Sequence, residues 1–339
     1  MLLVDHQKLK TDALANKQLI MASIELTEFC NLRCLHCYIP KKKSILSKDK
    51  AKAILDKLYQ LGILYITFTG GEVFLHPHFC DIYIYAKSKG FLISLMTNGT
   101  LIDNKIKKVL KKYKPFDISV SIYGLNATDY IHFTGKDHYK NLIDGLDYFE
   151  NESISFNLKT VLVKSNYPSA LANKYEELAK KYNKSMMYDP IIFGKKNGDT
   201  SNIIERLSAN EVVEFEKSQV DSVNFWRQAV SNIGAEASIN CGGGLSSLSI
   251  DSLGKVSICS IFITEKINFL DKTKEDIIQF LENTHQKMQY RYKQSPCFKC
   301  NKKNICKWCS AYAKLEHGSN IETIQFLCEL ADNRIKAFG

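Results

Sequence analysis

The sequence predicts an α/β fold of repeated strand-helix units followed by a smaller cysteine-rich region, and three observations lead there. From about residue 22, short apolar runs alternate with amphipathic stretches, the pattern of βα units. The alternation stops after residue 193 at a polar, turn-rich segment, Gly194 to Asn202. Ten of the eleven cysteines fall into two groups, three from Cys30 to Cys37 and seven from Cys241 to Cys328.

The strands read in order as Ala22 to Leu26, Leu64 to Phe68, Phe91 to Met96, Phe116 to Ile122, Ser153 to Val163 and Ser185 to Phe193. Between them lie helical periods such as Ser47 to Leu61, capped by Ser47 with Ala53, Ile54, Leu58 and Leu61 on one side, and Asp103 to Tyr113, opened by Asp103. Two further helical stretches start near Ser208 and Val223. Leu248 to Ile250 and Val256 to Ile258 flank Asp251-Ser-Leu-Gly254 and read as a hairpin. The division expected is residues 1–20 as an N-terminal segment, 21–205 as the βα domain, 206–235 as a helical bridge and 236–339 as the cysteine-rich domain.

A chain of 339 residues with 45% apolar content can bury a large core. No apolar run approaches the ~20 residues that span a bilayer, and the start, Met-Leu-Leu-Val-Asp-His-Gln-Lys, has no secretory pattern. A cytoplasmic protein with reduced thiols and no membrane partner is expected. Lys+Arg 46 against Asp+Glu 36 gives a net charge of +10. Runs such as Lys41 to Lys43 and Lys107, Lys108, Lys111 and Lys112 read first as solvated surface and second as a face for an acidic peptide. No nucleic-acid motif accompanies them, and no nucleic-acid partner is expected.

The first cysteine group, Cys30-Asn-Leu-Arg-Cys34-Leu-His-Cys37, places three thiolates in one loop, one short of the four that an iron-sulfur cube takes. Ile66-Thr67-Phe68-Thr69-Gly70-Gly71-Glu72 ends the next strand, with Gly70 lying 33 residues beyond Cys37. Together these segments resemble the radical S-adenosylmethionine (SAM) superfamily, whose Cys-x3-Cys-x2-Cys loop and Gly-Gly-Glu segment they match.

The resemblance implies a partial, six-stranded (β/α)6 TIM-like barrel, open on one side to a large substrate, with its site at the C-terminal strand ends. It implies a 4Fe-4S cluster on Cys30, Cys34 and Cys37 whose open iron is chelated by SAM, and a 5′-deoxyadenosyl radical that abstracts hydrogen. Gly70 and Gly71 would let the backbone approach SAM, and Glu72 would accept a hydrogen bond from its ammonium. His36 stands where the family has an aromatic on the adenine. Asn98, in the Met96-Thr97-Asn98-Gly99-Thr100 turn, and Ser119 and Ser121 would contact SAM, while Val161 and Val163 would line the adenine; ordinary strand packing is the rival for each.

The second group runs Cys241, then Gly254 with four residues to Cys259, then Cys297-x2-Cys300-x5-Cys306-x2-Cys309, and Cys328. It resembles the SPASM extension of radical SAM enzymes, a seven-cysteine module with two auxiliary 4Fe-4S clusters, and so implies three clusters in all. By that likeness Cys297, Cys300, Cys306 and Cys328 fill one auxiliary cluster and Cys241, Cys259 and Cys309 hold the other. Its fourth iron is then open, or taken by a side chain, water or substrate. Two residues, not the family's three, separate Cys306 from Cys309, which leaves the ligand order at Cys309 open. Structural zinc is the rival, but Cys300-x5-Cys306 is short for a zinc ribbon and seven is not a multiple of four. Gly242 to Gly244 suit a backbone wrapped close to sulfide. Cys80 reads as a buried small hydrophobe, and His76 and His78 as loop residues.

The function expected is that of a SPASM-type radical SAM enzyme abstracting hydrogen from a ribosomally synthesised peptide, in RiPP biosynthesis, to leave a thioether or carbon-carbon crosslink or a related oxidation. Its partners would be the peptide substrate and a flavodoxin or ferredoxin-type reductant. With no room before Ala22 for a fused leader-recognition domain, a separate leader-binding protein is also expected. The rivals are a sulfatase maturase, against which Ser260 stands where that family has an acidic base, a small-molecule or tetrapyrrole-modifying enzyme, and a non-catalytic electron carrier.

Overall fold

The computed structural model describes residues 5–40, 44–234 and 241–339. The expected domain boundary at 235/236 and the Lys41 to Lys43 run lie outside the described residues. Six parallel strands form the barrel wall: β1 (Met21–Thr27), β2 (Tyr65–Gly70), β3 (Leu92–Thr97), β4 (Asp117–Ser121), β5 (Phe156–Val161) and β6 (Met186–Asp189). Three more, β7 (Ser247–Ile250), β8 (Lys255–Ser257) and β9 (Ile267–Asn268), continue the same sheet, giving the order β6-β5-β4-β3-β2-β1-β7-β8-β9.

Strand alternation builds the wall. On β1, Ala22, Ile24 and Leu26 are buried in the main core, while Ser23 and Glu25 point the other way, into the barrel. On β4 the buried pair is Ile118 and Val120, and Asp117, Ser119 and Ser121 are only partly covered. The interior is thus polar and the outer face apolar, as a barrel that encloses a ligand rather than a core requires.

The covering helices follow their local signals. Ser47 caps the Lys48–Gln60 helix by accepting from Lys50 N–H, and Ala51, Ile54, Leu55 and Leu58 are buried on one side. Each of the larger side chains contributes roughly 1.5–3 kcal/mol by leaving water. Asp103 caps Asn104–Lys112 through Ile106 N–H at 2.8 Å. Ser208 and Glu211 form a reciprocal capping box on Ala209–Ser218. The next helix starts at Val220 rather than Val223, and the sixth strand ends at Asp189 rather than Phe193.

The parallel pairing of β7 with β1 joins the cysteine-rich region to the barrel, register Ala22 to Leu248 and Ile24 to Ile250, with Ser23 Oγ bonding Ser249 Oγ at 2.9 Å. Between β7 and β8 the expected hairpin turns at Asp251 to Gly254, where Gly254 adopts φ 80°. Three helices of this region carry no expectation from the sequence: Lys274–Gln294, Ser310–His317 and Gln325–Phe338. Among the described residues no helix is long and apolar enough to cross a membrane.

Candidate active site and its cysteine sets

The loop bearing Cys30, Cys34 and Cys37 leaves the end of β1 and is held by backbone bonds. Arg33 and Leu35 donate their N–H groups to Thr134 O at 2.8 Å and Phe133 O at 3.1 Å, at the end of the Ala127–Thr134 helix. From β2, Gly71 N–H donates to Thr27 O at 2.7 Å and Glu72 N–H to Phe29 O at 2.8 Å. The two glycines are required by this approach. A Cβ on Gly70 would collide with Thr27 O, and one on Gly71 with Phe29 O.

Glu72 differs from expectation. Its carboxylate is fully buried, and both oxygens are engaged within the fold: Oε1 accepts from Thr97 Oγ1 at 2.7 Å and Phe74 N–H at 3.1 Å, and Oε2 from Asn98 N–H at 2.7 Å. Burial still pushes its pKa up, these bonds opposing it. The carboxylate therefore ties the ends of β2 and β3 together, and the groups of this segment left to meet a ligand are those of the backbone. Asn98 is likewise structural on one side, donating its amide to Asn31 Oδ1 at 2.9 Å and lying 3.9 Å from Cys30 Sγ, while its Oδ1 accepts from Thr100.

The three loop thiols are brought together. Burial raises Cys34 first, and the charges of Cys37 and Cys30 add to it. Cys30 is pushed up to about 11 by burial, which outweighs a bond from Leu32 N–H. His36 packs against Tyr123 and Phe133 at centroid distances of 5.1 and 5.3 Å, and burial lowers it to about 4, leaving a neutral ring. Ser119 and Ser121 are partly covered on β4. Val163 departs from its expected place: it lies beyond the end of β5, fully buried in a small core with Phe133 and Ile192, and its N–H is taken by Asn166 Oδ1. Val161, at the strand end, is only partly buried and packs against that same small core.

The seven later cysteines separate into two neighbourhoods. Cys306 is raised to about 12 by burial and then by Cys328, Cys297 and Cys300, and Cys297 to about 11 by burial with Cys328 and Cys300. Cys259 is raised to about 11 by burial, with Cys309 and Cys241 contributing. Cys309 thus stands with Cys241 and Cys259 despite the short spacer. The chain achieves this at Lys307, which takes a left-handed conformation, φ 59°, just after the Lys303–Cys306 turn. Cys309 then stands at the N-cap position of the Ser310–His317 helix in an extended conformation, and burial raises its thiol. A cavity of about 870 Å³ is lined by six of the seven cysteines, Cys241, Cys297, Cys300, Cys306, Cys309 and Cys328.

All eleven cysteines are free thiols. Among the described residues no three His, Cys, Asp or Glu side chains close on one point tightly enough to hold a single ion, so the fit to iron-sulfur groups rests on the donors themselves. Each set is all sulfur, Cys30 exposed and most of the others partly covered, and desolvation makes a bare thiolate costly at Cys34, Cys259 and Cys306. An iron-sulfur core supplies the positive charge that reverses this preference, and the residues fit such a group. Cys80, by contrast, is a buried core residue of the Phe79–Ser88 helix, and His76 is buried with Nε2 on Leu46 O at 2.6 Å.

A strap from Phe193 to Asn202 joins the two cysteine regions; its residues read as a polar, turn-rich segment, with no sign of what they bind. Asn202 donates to His36 O and Phe193 O at 3.2 and 2.8 Å, Phe193 stacks on Tyr312 at 3.4 Å, and Lys196 bonds Tyr38 O through its N–H and Glu25 through its ammonium. Burial raises the Tyr38 phenol, and Glu25, Cys37 and Cys259 add to that, so Tyr38 lies within reach of both sulfur sets. Glu25, a charge on an apolar strand, was the available signal.

The radical SAM superfamily matches residues 24–168. The chain is 27% identical over 254 residues to the antilisterial bacteriocin subtilosin biosynthesis protein AlbA of Bacillus subtilis, covering 72% of this chain and 55% of AlbA. It is 25% identical over 326 residues to the AdoMet-dependent heme synthase of Methanosarcina barkeri, covering 88% of this chain and 93% of that protein. The fold is similar to that of Streptococcus suis SuiB bound to the precursor peptide SuiA, with a TM-score of 0.73 at 16% identity over 95% of this chain and 79% of SuiB. Residues 24–168 thus match a radical SAM domain, and the whole fold, the cysteine-rich region included, is similar to that of SuiB.

Proposed function

We propose that this enzyme modifies a ribosomally made peptide oxidatively, at a site between the cysteine loop and the set of Cys241, Cys259 and Cys309. The observation that carries the reading is the strap from Phe193 to Asn202, which bonds His36 O beside Cys37 at 3.2 Å and stacks Phe193 on Tyr312, three residues beyond Cys309. One substrate lying along that wall can meet both sulfur sets. Cys30, Cys34 and Cys37 would hold the SAM-binding cluster, Cys297, Cys300, Cys306 and Cys328 one auxiliary cluster, and Cys241, Cys259 and Cys309 the other. When bound, the loop cluster with SAM supplies a hydrogen-abstracting 5′-deoxyadenosyl radical. The division into a barrel at 21–205, a bridge and a cluster domain from 236 belongs to the same proposal.

The chain's own residues hold and shield. The backbone at Gly70 and Gly71 and the hydroxyls of Ser119 and Ser121 would hold SAM, and His36 packed with Tyr123 and Phe133 would keep water from one side of the loop. Inside the barrel, Lys159 on β5 and Asp189 at the end of β6 face the space; burial lowers the lysine and raises the aspartate, each partly offset by the other's charge. Both are available to a polar substrate.

The likeness to AlbA, named for bacteriocin biosynthesis, supports a peptide. A tetrapyrrole is the second reading, favoured by the match along 93% of a heme synthase. The test is anaerobic incubation of the reconstituted enzyme with SAM and dithionite, with either the short peptide encoded beside its gene or an iron porphyrin. Peptide-dependent 5′-deoxyadenosine and a peptide lighter by two hydrogens are expected. Turnover of the porphyrin alone overturns the peptide reading, and no 5′-deoxyadenosine with either substrate and full clusters overturns both.

A further inference from the structure

Six buried side-chain polar atoms among the described residues have no hydrogen-bond partner, and one of them is Ser310 Oγ. Ser310 is 1% exposed, follows Cys309 directly, and lines the 870 Å³ cavity together with Cys241, Gly242 and Cys309. A hydroxyl buried without a partner costs about 1–3 kcal/mol, and the fold does not relieve it. The backbone carbonyl of the same residue accepts from Asn320 Nδ2 at 3.2 Å, whereas the hydroxyl has no partner.

A serine O–H is a donor with a freely turning hydrogen. Six cysteine sulfurs are among the acceptors that line this cavity, and hydrogen bonds to sulfur are one of the protein's levers on the potential of an iron-sulfur group, stabilising its more negative, reduced form. Ser310 opens the helix whose N-cap is Cys309, so its hydroxyl stands next to that cysteine in the chain.

We propose that Ser310 donates its hydroxyl to the sulfur of the auxiliary cluster held by Cys241, Cys259 and Cys309 and thereby raises that cluster's reduction potential. Ser310 is a positioning residue for charge and takes no part in bond making. The proposal rests on the cluster assignment above.

The test uses the anaerobically reconstituted full chain with Cys30, Cys34 and Cys37 changed to Ala, so that only auxiliary signals remain, followed by EPR during a potentiometric titration. Ser310→Ala is expected to move the midpoint of one auxiliary signal to a more negative value at unchanged iron content, and Ser310→Thr to keep it. In a frozen reduced sample exchanged into D2O, electron-nuclear double resonance should show a coupled exchangeable deuteron that Ser310→Ala removes. This second measurement decides the matter if the alanine variant loads poorly, through the deuteron of the parent and the threonine variant. An unmoved midpoint at full iron, or an exchangeable-deuteron spectrum that is the same with and without Ser310, overturns the proposal. A protein with no auxiliary cluster at all overturns the assignment beneath it, a result recognisable from iron and sulfide analysis before any titration.

Discussion

Asn98 donates its backbone N–H to Glu72 Oε2 at 2.7 Å, and through its own amide, which bonds Asn31 Oδ1 at 2.9 Å, it links that carboxylate to the loop of Cys30. One residue at the end of β3 therefore couples the Gly-Gly-Glu turn to the cysteine loop.

Glu72→Gln should weaken this coupling. The carboxylate accepts three bonds, from Thr97, Phe74 and Asn98, whereas an amide must turn an NH2 toward at least one donor. The expected loss is about 1–3 kcal/mol, seen as a lower Tm and faster iron loss to a chelator. A variant as stable as the parent would show that the carboxylate is instead free for a ligand.

Gly71→Ala should displace the cysteine loop itself. The added methyl meets Phe29 O and Glu28 O, both backbone and unable to rotate away. Iron after reconstitution should fall by about a third if three equal clusters load in the parent, with the auxiliary signals intact. Full loading would mean the loop gives way without cost.

The barrel was legible because its strands are apolar on one face and bounded by capped helices. Ser47 and Asp103 act as the caps their positions announced, and the stretch expected from near Ser208 is capped by that residue. The Lys274–Gln294 helix was not legible, since its buried residues Ile277, Leu281, Met288 and Tyr292 form a narrow seam in an otherwise charged segment. The junction of β7 with β1 escaped for another reason: Ser23 and Ser249 lie 226 residues apart, and a four-residue strand carries no record of its partner. At the site, the cysteine spacings announced the two groups, but spacing could not show that Glu72 turns inward or that Val163 falls past its strand.

Lys307→Val should be destabilising. The side chain sits at φ 59°, where a β-branched residue is strained, and the change also removes the ammonium placed 5.2 Å from the Phe225 ring. A loss of about 1–2 kcal/mol is expected from the backbone alone, with Lys307→Gly much closer to the parent. Thermal melts of both variants check the order. Equal melts would show that the reversal between Cys306 and Cys309 does not depend on this residue.

Arg334→Met tests how the last helix is tied in. Arg334 is 2% exposed, bonds Glu216 through Nε at 3.0 Å, donates to Ile305 O at 2.9 Å and lies 3.7 Å from the Trp226 ring. Removing it strands a buried carboxylate at a cost of about 3–5 kcal/mol. Replacing both partners, with Glu216→Leu added, should recover much of the stability. A single variant that melts with the parent would sink this account.

The parallel seam between β1 and β7 also sets an order of events during synthesis. β1 gains its second neighbour only when residues beyond 246 have emerged, more than 200 residues after the strand itself. Until then its open edge and the adjoining thiols are carried by an unfinished barrel, the kind of exposed strand that invites wrong pairing. Translation speed and the timing of cluster delivery thus become variables in the yield of active enzyme, and slowing synthesis while holding iron supply constant would trade one against the other.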